Sequence, residues 1–162
     1  MKNRKKLVNF AVAAIIAALY VVLTYLASAL GLSSNVIQVR FSEALTILPI
    51  FTPAAIPGLF VGCLLSNILT GCAMWDVIFG SIATLLGAVF TYLLKKHKIL
   101  AVIPPIVANT LIVPPVLIFV YRVPDAYWFI CLTVCIGEAI SCGILGTALK
   151  KGLEKSRIFE RI

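Results

Sequence analysis

Four stretches of the chain, residues 7–30, 77–94, 99–121 and 128–149, are almost unbroken runs of apolar side chains. A helix rises about 1.5 Å per residue, so runs of this length match a hydrocarbon layer of roughly 30 Å. A fifth stretch, residues 41–70, carries Pro49, Pro53, Pro57 and Gly58 in its first half. It reads either as one helix or as two, 41–51 and 54–70, broken near Thr52 and Pro53. The piece 41–51 is too short to cross roughly 30 Å alone. It must be tilted, distorted or shielded by its neighbours.

Composition sharpens this into a class. Of 162 residues, 62% are apolar and 12% charged, against about 45–50% and 25% in soluble domains. There are too few polar side chains to coat a globule. A disordered chain, a disulfide-stapled secreted domain and a nucleic-acid binder are excluded together. The expected fold is an all-α integral membrane protein, a single membrane domain over residues 1–162 with no room for a soluble catalytic domain.

Charge placement decides the number of spans. The formal net charge is +8, and twelve of the fourteen basic residues fall in three clusters. Lys2, Arg4, Lys5 and Lys6 precede the first run. Lys95, Lys96 and Lys98 sit in a short connector, and Lys150, Lys151, Lys155, Arg157 and Arg161 follow the last run. Clustered bases beside hydrophobic spans stay in the cytoplasm, and only an even number of spans puts all three clusters on one side. Six transmembrane helices with both termini cytoplasmic follow, at about 7–30, 41–51, 54–70, 77–94, 99–121 and 128–149. The outer loops are then 31–40, 71–76 and 122–127. Ala27-Ser28-Ala29 looks like a signal-peptide cleavage site, but the run before it is longer than the usual h-region of about 7–15 residues, so an uncleaved first helix is expected.

Polar side chains inside spans need a reason, because each costs roughly 2.5–3.5 kcal/mol on insertion scales. Glu138 lies near the middle of the last helix. Asn109 lies at similar depth in the fifth, between Pro104-Pro105 and Pro114-Pro115, whose missing N–H groups leave carbonyls for something other than lipid. Asn67 is near the outer end of the third helix, Asp76 begins the fourth beside Trp75, and Arg40 and Glu43 sit where loop becomes the second helix. All lie at the midplane or outward of it, which points to a polar pocket open to the outside above an apolar inner half. Structural readings compete. Arg40 could pair with Glu43 or with Glu138, Asn67 could bond between helices, and Asp76 could serve as a helix N-cap.

The five cysteines form no CxxC and read as packing residues. His97 stands among lysines, so no metal site is expected. Ala13/Ala17 and Ala14/Ala18 give two AxxxA registers, and Gly58/Gly62 give GxxxG continued by Ser66. Such stripes allow close helix approach within the fold or between proteins. No GxxxxGK[ST], HExxH or GxSxG is present, so neither ATP hydrolysis by a phosphate loop nor another enzymatic activity is indicated.

The ordered stretch IQVRFSEALTILPIFTPAAIPGLFVGCLLSNILTG, then WDVIFGSIATLLGAVFTYLLKK, IPPIVANT and GEAISCGILG, resembles the queuosine-precursor transporter (QueT-type) family. These are substrate-binding S components of energy-coupling factor (ECF) transporters. Val113-Pro114-Pro115 departs from the family pattern, in which a glycine is expected. The resemblance implies a multi-pass protein of a prokaryotic plasma membrane, with its substrate site on the outer side under the loop after the first helix. It implies a transmembrane scaffold subunit and two ATPase subunits as partners. No cofactor is implied in this chain, since ATP is used by those partners. Docking would use the alanine face Ala13, Ala14, Ala17 and Ala18, and the loaded subunit would topple in the bilayer to release substrate inside.

The implied substrate is a deazaguanine such as queuine or its aminomethyl precursor. A guanine-like edge offers an N–H and an NH₂ that one carboxylate accepts together. Glu138 or Glu43 would take that edge, with Asn109, Asn67, Arg40 and Gln38 as further polar contacts. Asp76 would meet a cationic arm, and Trp75 or Phe41 would stack on the ring. An S component for another small vitamin or nucleobase, and a stand-alone carrier without ATPase partners, remain as alternatives.

Overall fold

A computed structural model of the chain describes residues 2–32, 37–97 and 99–156. Lys98, Arg157 and Arg161 of the basic clusters, and residues 33–36 of the first outer loop, lie outside the described residues. Those described form an all-helical bundle: α1 (Lys2–Ala29), a 3₁₀ helix (Phe41–Ile50), α2 (Ala55–Leu69), α3 (Met74–Leu93), α4 (Ile103–Phe119), α5 (Tyr127–Glu138), a π-helical segment (Ala139–Leu145) and α6 (Gly146–Ser156). A short 3₁₀ turn, Leu100–Val102, leads into α4. The rod Tyr127–Ser156 is continuous. Four helices are long and apolar enough to cross a membrane: Asn3–Ala29, Met74–Leu93, Leu100–Phe119 and Tyr127–Ser156. Large apolar side chains stay exposed along them, among them Phe10 and Ile15 on α1, Phe90 and Leu93 on α3, Leu111 and Phe119 on α4, and Trp128 and Ile144 on the last rod. In water such a surface would aggregate; in lipid it is the solvated face.

The 3₁₀ helix is where the proline-rich stretch departs from regular geometry. Ten residues in 3₁₀ geometry rise only about 20 Å. The segment packs against α1, α2, α3, α6 and the π-helical segment, and Ser42 to Pro49 are all buried. Thr46 Oγ1 donates to the Glu43 carbonyl three residues back at 2.6 Å. This short element is therefore both distorted and sheathed by its neighbours. It is the hub of the apolar core, with Leu45 and Leu48 packed against Ile16, Tyr20, Leu59, Cys63 and Ala88.

Small residues set the closest helix contacts. A Cβ on Gly58 would stand 2.7 Å from the Ala13 carbonyl oxygen, and one on Gly62 would stand 3.0 Å from Ala17 Cα. The GxxxG stripe of α2 thus packs on the Ala13/Ala17 register of α1, and Ala13, Ala14 and Ala17 also border an apolar groove with Pro53, Pro57 and Val61. Ala14 and Ala18 remain exposed.

α1 and α2 end in the same way, at the same end of the bundle. The Leu32 N–H bonds the Ala27 carbonyl and Gly31 that of Ser28; Cys72 bonds Asn67 and Gly71 bonds Ile68. Gly31 and Gly71 adopt φ +71° and +73°, the left-handed position that closes a helix at low steric cost. Both chains turn there and frame a cavity mouth.

Candidate functional site

The polar residues singled out in the sequence gather at the end of the bundle opposite Lys5, Lys6, Lys95, Lys96, Lys150 and Lys151, but at two depths. A cavity of about 390 Å³ opens between the ends of α1, α2, α3 and α4. Gln38, Arg40, Asn67 and Asp76 line it, with Tyr20, Thr24, Ser42, Thr70, Cys72 and Tyr121. Asp76 Oδ2 accepts from the Tyr121 hydroxyl at 3.0 Å, and the Ala73 N–H donates to the same hydroxyl at 3.0 Å. The N-cap of α3 is Ala73 and no side chain bonds there. Asp76 is therefore not a cap. It lies within the first turn, which carries its buried carboxylate toward the cavity and leaves the capping position behind it.

Arg40 reaches the cavity from the loop, which is pinned on the π-helical segment: its N–H donates to Ser141 Oγ at 3.0 Å. A Cβ on Gly137 would sit 2.2 Å from the Gln38 carbonyl oxygen, so only glycine lets the loop lie this close to α5. Burial works against the Arg40 charge, but Asp76, Glu138, Tyr20 and Glu43 outweigh it and hold the guanidinium above its ordinary range. At Tyr121, burial raises the phenol to about 12; the Ala73 N–H opposes this and Asp76 adds to it.

Beneath the cavity lies a second cluster. Glu43, Glu138 and Asn109 are buried at 1%, 6% and 2% exposure, and none lines the open space. Tyr20 lies between the two levels: it lines the cavity, and its hydroxyl donates to Glu43 Oε1. Glu43 Oε2 has no hydrogen-bond partner, so Arg40 and Glu43 form no hydrogen-bonded staple. Cys142 Sγ donates to Glu138 Oε2 at 3.2 Å and to the Glu43 carbonyl at 3.5 Å. Donor atoms of Glu43, Glu138 and Cys142 lie within 4.8 Å of one another, the arrangement among the described residues nearest to a metal-binding set.

Two expected residues are not brought in. Trp75 is 57% exposed, stacks on Phe79 with ring centroids 5.9 Å apart, and lines an apolar groove on the outside of α3 and α4. It does not line the cavity. Phe41 is half-buried and is not among the lining side chains. Asn67 does line the cavity, but its amide makes only a weak contact of 3.6 Å with Cys63 Sγ. The polar lining side chains that sequence reasoning did not assign to the site are Cys72 and the hydroxyl-bearing Tyr20, Thr24, Ser28, Ser42, Thr70 and Tyr121. Neutral hydroxyls are common in membrane helices, so nothing in the sequence marked them.

A model of the QueT transporter family matches residues 10–155, nearly the whole chain. The chain belongs to the QueT transporter family. This is a transporter family, not an enzyme family. The chain is also similar to a protein of Lactococcus lactis subsp. cremoris (strain MG1363) called "Queuosine precursor transporter QueT", 37% identical over 84 residues. The matched stretch spans 51% of this chain and 48% of that protein, about half of each. No solved structure matches the chain. The exposed apolar helices and the family together make this QueT family member a membrane protein.

Proposed function

We propose that this QueT family member is the substrate-binding S component of an ECF-type importer, capturing a queuosine precursor from outside the cell. One observation carries the reading: a polar cavity sits at the end of an otherwise apolar bundle opposite the described basic side chains. Bases beside spans are retained in the cytoplasm. The cavity therefore faces outward in a single membrane domain of six spans with both termini inside, in the plasma membrane of a prokaryote. The name of the Lactococcus relative supplies the substrate class.

The cavity suits a deazaguanine. Asp76 is the carboxylate that lines it and would accept the ring N–H and exocyclic NH₂ together, or meet a cationic aminomethyl arm. Arg40, Gln38 and Asn67 would donate to the ring carbonyl. Tyr20 and Tyr121 would flank the ring, taking the place first given to Trp75 and Phe41. Glu138, Glu43 and Asn109 would form the floor. Delivery would follow docking on a transmembrane scaffold through the exposed Ala14/Ala18 register. The loaded subunit would then topple, driven by two ATPase subunits that supply the ATP chemistry this chain lacks.

Ligand titration of the purified chain in nanodiscs tests this. Queuine, its aminomethyl and cyano precursors, the nucleoside, guanine, riboflavin and thiamine would be compared. Saturable binding of one deazaguanine is expected, weakened tenfold or more by Asp76→Asn, since a hydrogen bond to a charged group contributes roughly 1.5–3 kcal/mol. Trp75→Ala should leave it unchanged. Binding of a vitamin instead would keep the fold and reject the substrate.

A further inference from the structure

The cluster beneath the cavity floor is chemically incomplete as it stands. One oxygen of Glu43 and one of Glu138 fall in the group whose atoms lie within 4.8 Å of one another, inside the bundle. The Glu43 side chain is 1% exposed and its Oε2 has no partner. The Asn109 amide faces both carboxylates, yet its Nδ2 completes a hydrogen bond with neither. Buried polar groups are rarely left this way, and two like charges this close cannot both persist without a positive partner.

The positive charge in view is already shared. Arg40 interacts with Asp76, Glu138 and Glu43 together, so one guanidinium serves three carboxylates. The other titratable groups against the pair are neutral donors or thiols: Tyr20 from α1, Cys63 from α2 and Cys142 from the π-helical segment. None brings a positive charge.

We propose that Glu43 and Glu138 form a proton-holding pair that carries one proton at neutral pH. A proton on Glu43 Oε2 turns the orphan acceptor into a donor, in a group whose ligand atoms lie within 4.8 Å of one another. Tyr20 already donates to Glu43 Oε1 and Cys142 to Glu138 Oε2, which leaves Glu43 Oε2 as the oxygen to carry the proton. The pair then carries a single negative charge. Arg40 can balance that charge or turn to Asp76 in the cavity above. This inference is independent of what the cavity binds.

Infrared spectroscopy of the full chain in lipid tests it without a ligand. At neutral pH the carbonyl stretch of one protonated carboxylic acid per molecule is expected, apart from the ionised carboxylate band. It should shift when the protein is labelled with carbon-13 at the glutamate side-chain carboxyl. It should persist in Asp76→Asn and vanish in the double variant Glu43→Gln/Glu138→Gln. The labelling arm needs no substitution, so a variant that fails to fold leaves the test intact. Absence of the band in the unsubstituted protein would overturn the proposal, as would a band that ignores the label or disappears with Asp76. A metal ion retained at one per molecule by elemental analysis, in place of the band, would overturn it in favour of a metal site.

Discussion

Asp76 and Trp75 are neighbours in the chain with opposite fates. Successive residues of an α-helix are about 100° apart around its axis, so the turn that aims Asp76 at the cavity aims Trp75 at the lipid-facing side. Asp76 is buried, and its carboxylate is held by the Tyr121 hydroxyl. Tyr121 in turn titrates late, at about 12 against an ordinary 10.0, chiefly because of burial. The sign follows from the neutral phenol being the form the fold prefers. Its contribution to stability is full below about pH 10 and is lost as the pH rises through about 12. The tyrosinate absorbance of the wild type minus that of Tyr121→Phe should therefore titrate near 12. A midpoint at the ordinary value would mean that the Asp76–Tyr121–Ala73 contact is not held. The acids and amides of this site were legible in the sequence because charge in a span demands a reason. The rotation of α3 was not, because no periodic polar face fixes the phase of a helix that is apolar all round. Tyr20 and Tyr121 escaped for a related reason: a tyrosine in an apolar run reads as packing or as an interfacial anchor.

At the scale of elements, every apolar run is helical because backbone groups in lipid must be satisfied within their own segment. Run length alone makes that legible. The prolines at 49, 53 and 57 also announced a short, irregular second helix. The 3₁₀ geometry itself and the π-helical turn at Ala139–Leu145 were hidden, since both depend on which carbonyl each N–H finds once neighbours pack. These two irregular elements carry Glu43, Ser141 and Cys142, so the site is built where local propensity says least. The loop that brings Gln38 and Arg40 is seated on Gly137, and this gives a sharp test. In Gly137→Ala the new methyl meets the Gln38 carbonyl oxygen at 2.2 Å, and that atom is backbone, so the loop itself must lift. Overpacking of this kind costs about 1–3 kcal/mol. A lower unfolding temperature in detergent is expected, together with weaker ligand binding as Arg40 and Gln38 move. Gly143→Ala, in the same rod with nothing within 4 Å of the added atom, should change neither. If Gly137→Ala binds ligand as the wild type does, the loop does not position the cavity's polar groups.

The whole molecule is polarised along its length: a polar cavity at one end, basic side chains at the other, and an apolar belt between. That division suits the proposed toppling, in which an apolar belt would slide against lipid while buried acids stay covered. Under the proposed function a partner must grip the subunit, and the alanine stripe of α1 offers two registers, one of which also packs on α2. Ala13 and Ala17 lie under Gly58 and Gly62. Ala14 and Ala18 are exposed on the same helix, and Ala14 also borders an apolar groove of about 550 Å³ shared with Phe10, Pro53, Pro57 and Val61. Small residues permit close helix contact without a bulky side chain in the way, so enlarging them should block a partner while sparing the cavity at the far end. In cells, Ala14→Trp/Ala18→Trp should abolish uptake of the substrate, while the purified variant binds it with unchanged affinity. Ala13→Trp should differ by also lowering the yield of folded protein, because the Ala13 backbone lies against Gly58 of α2. Retained uptake in the double variant would move the coupling face off this register. Loss of both uptake and binding would show instead that the exposed alanines support the α1–α2 contact, and that the grip on the subunit lies elsewhere on its apolar belt.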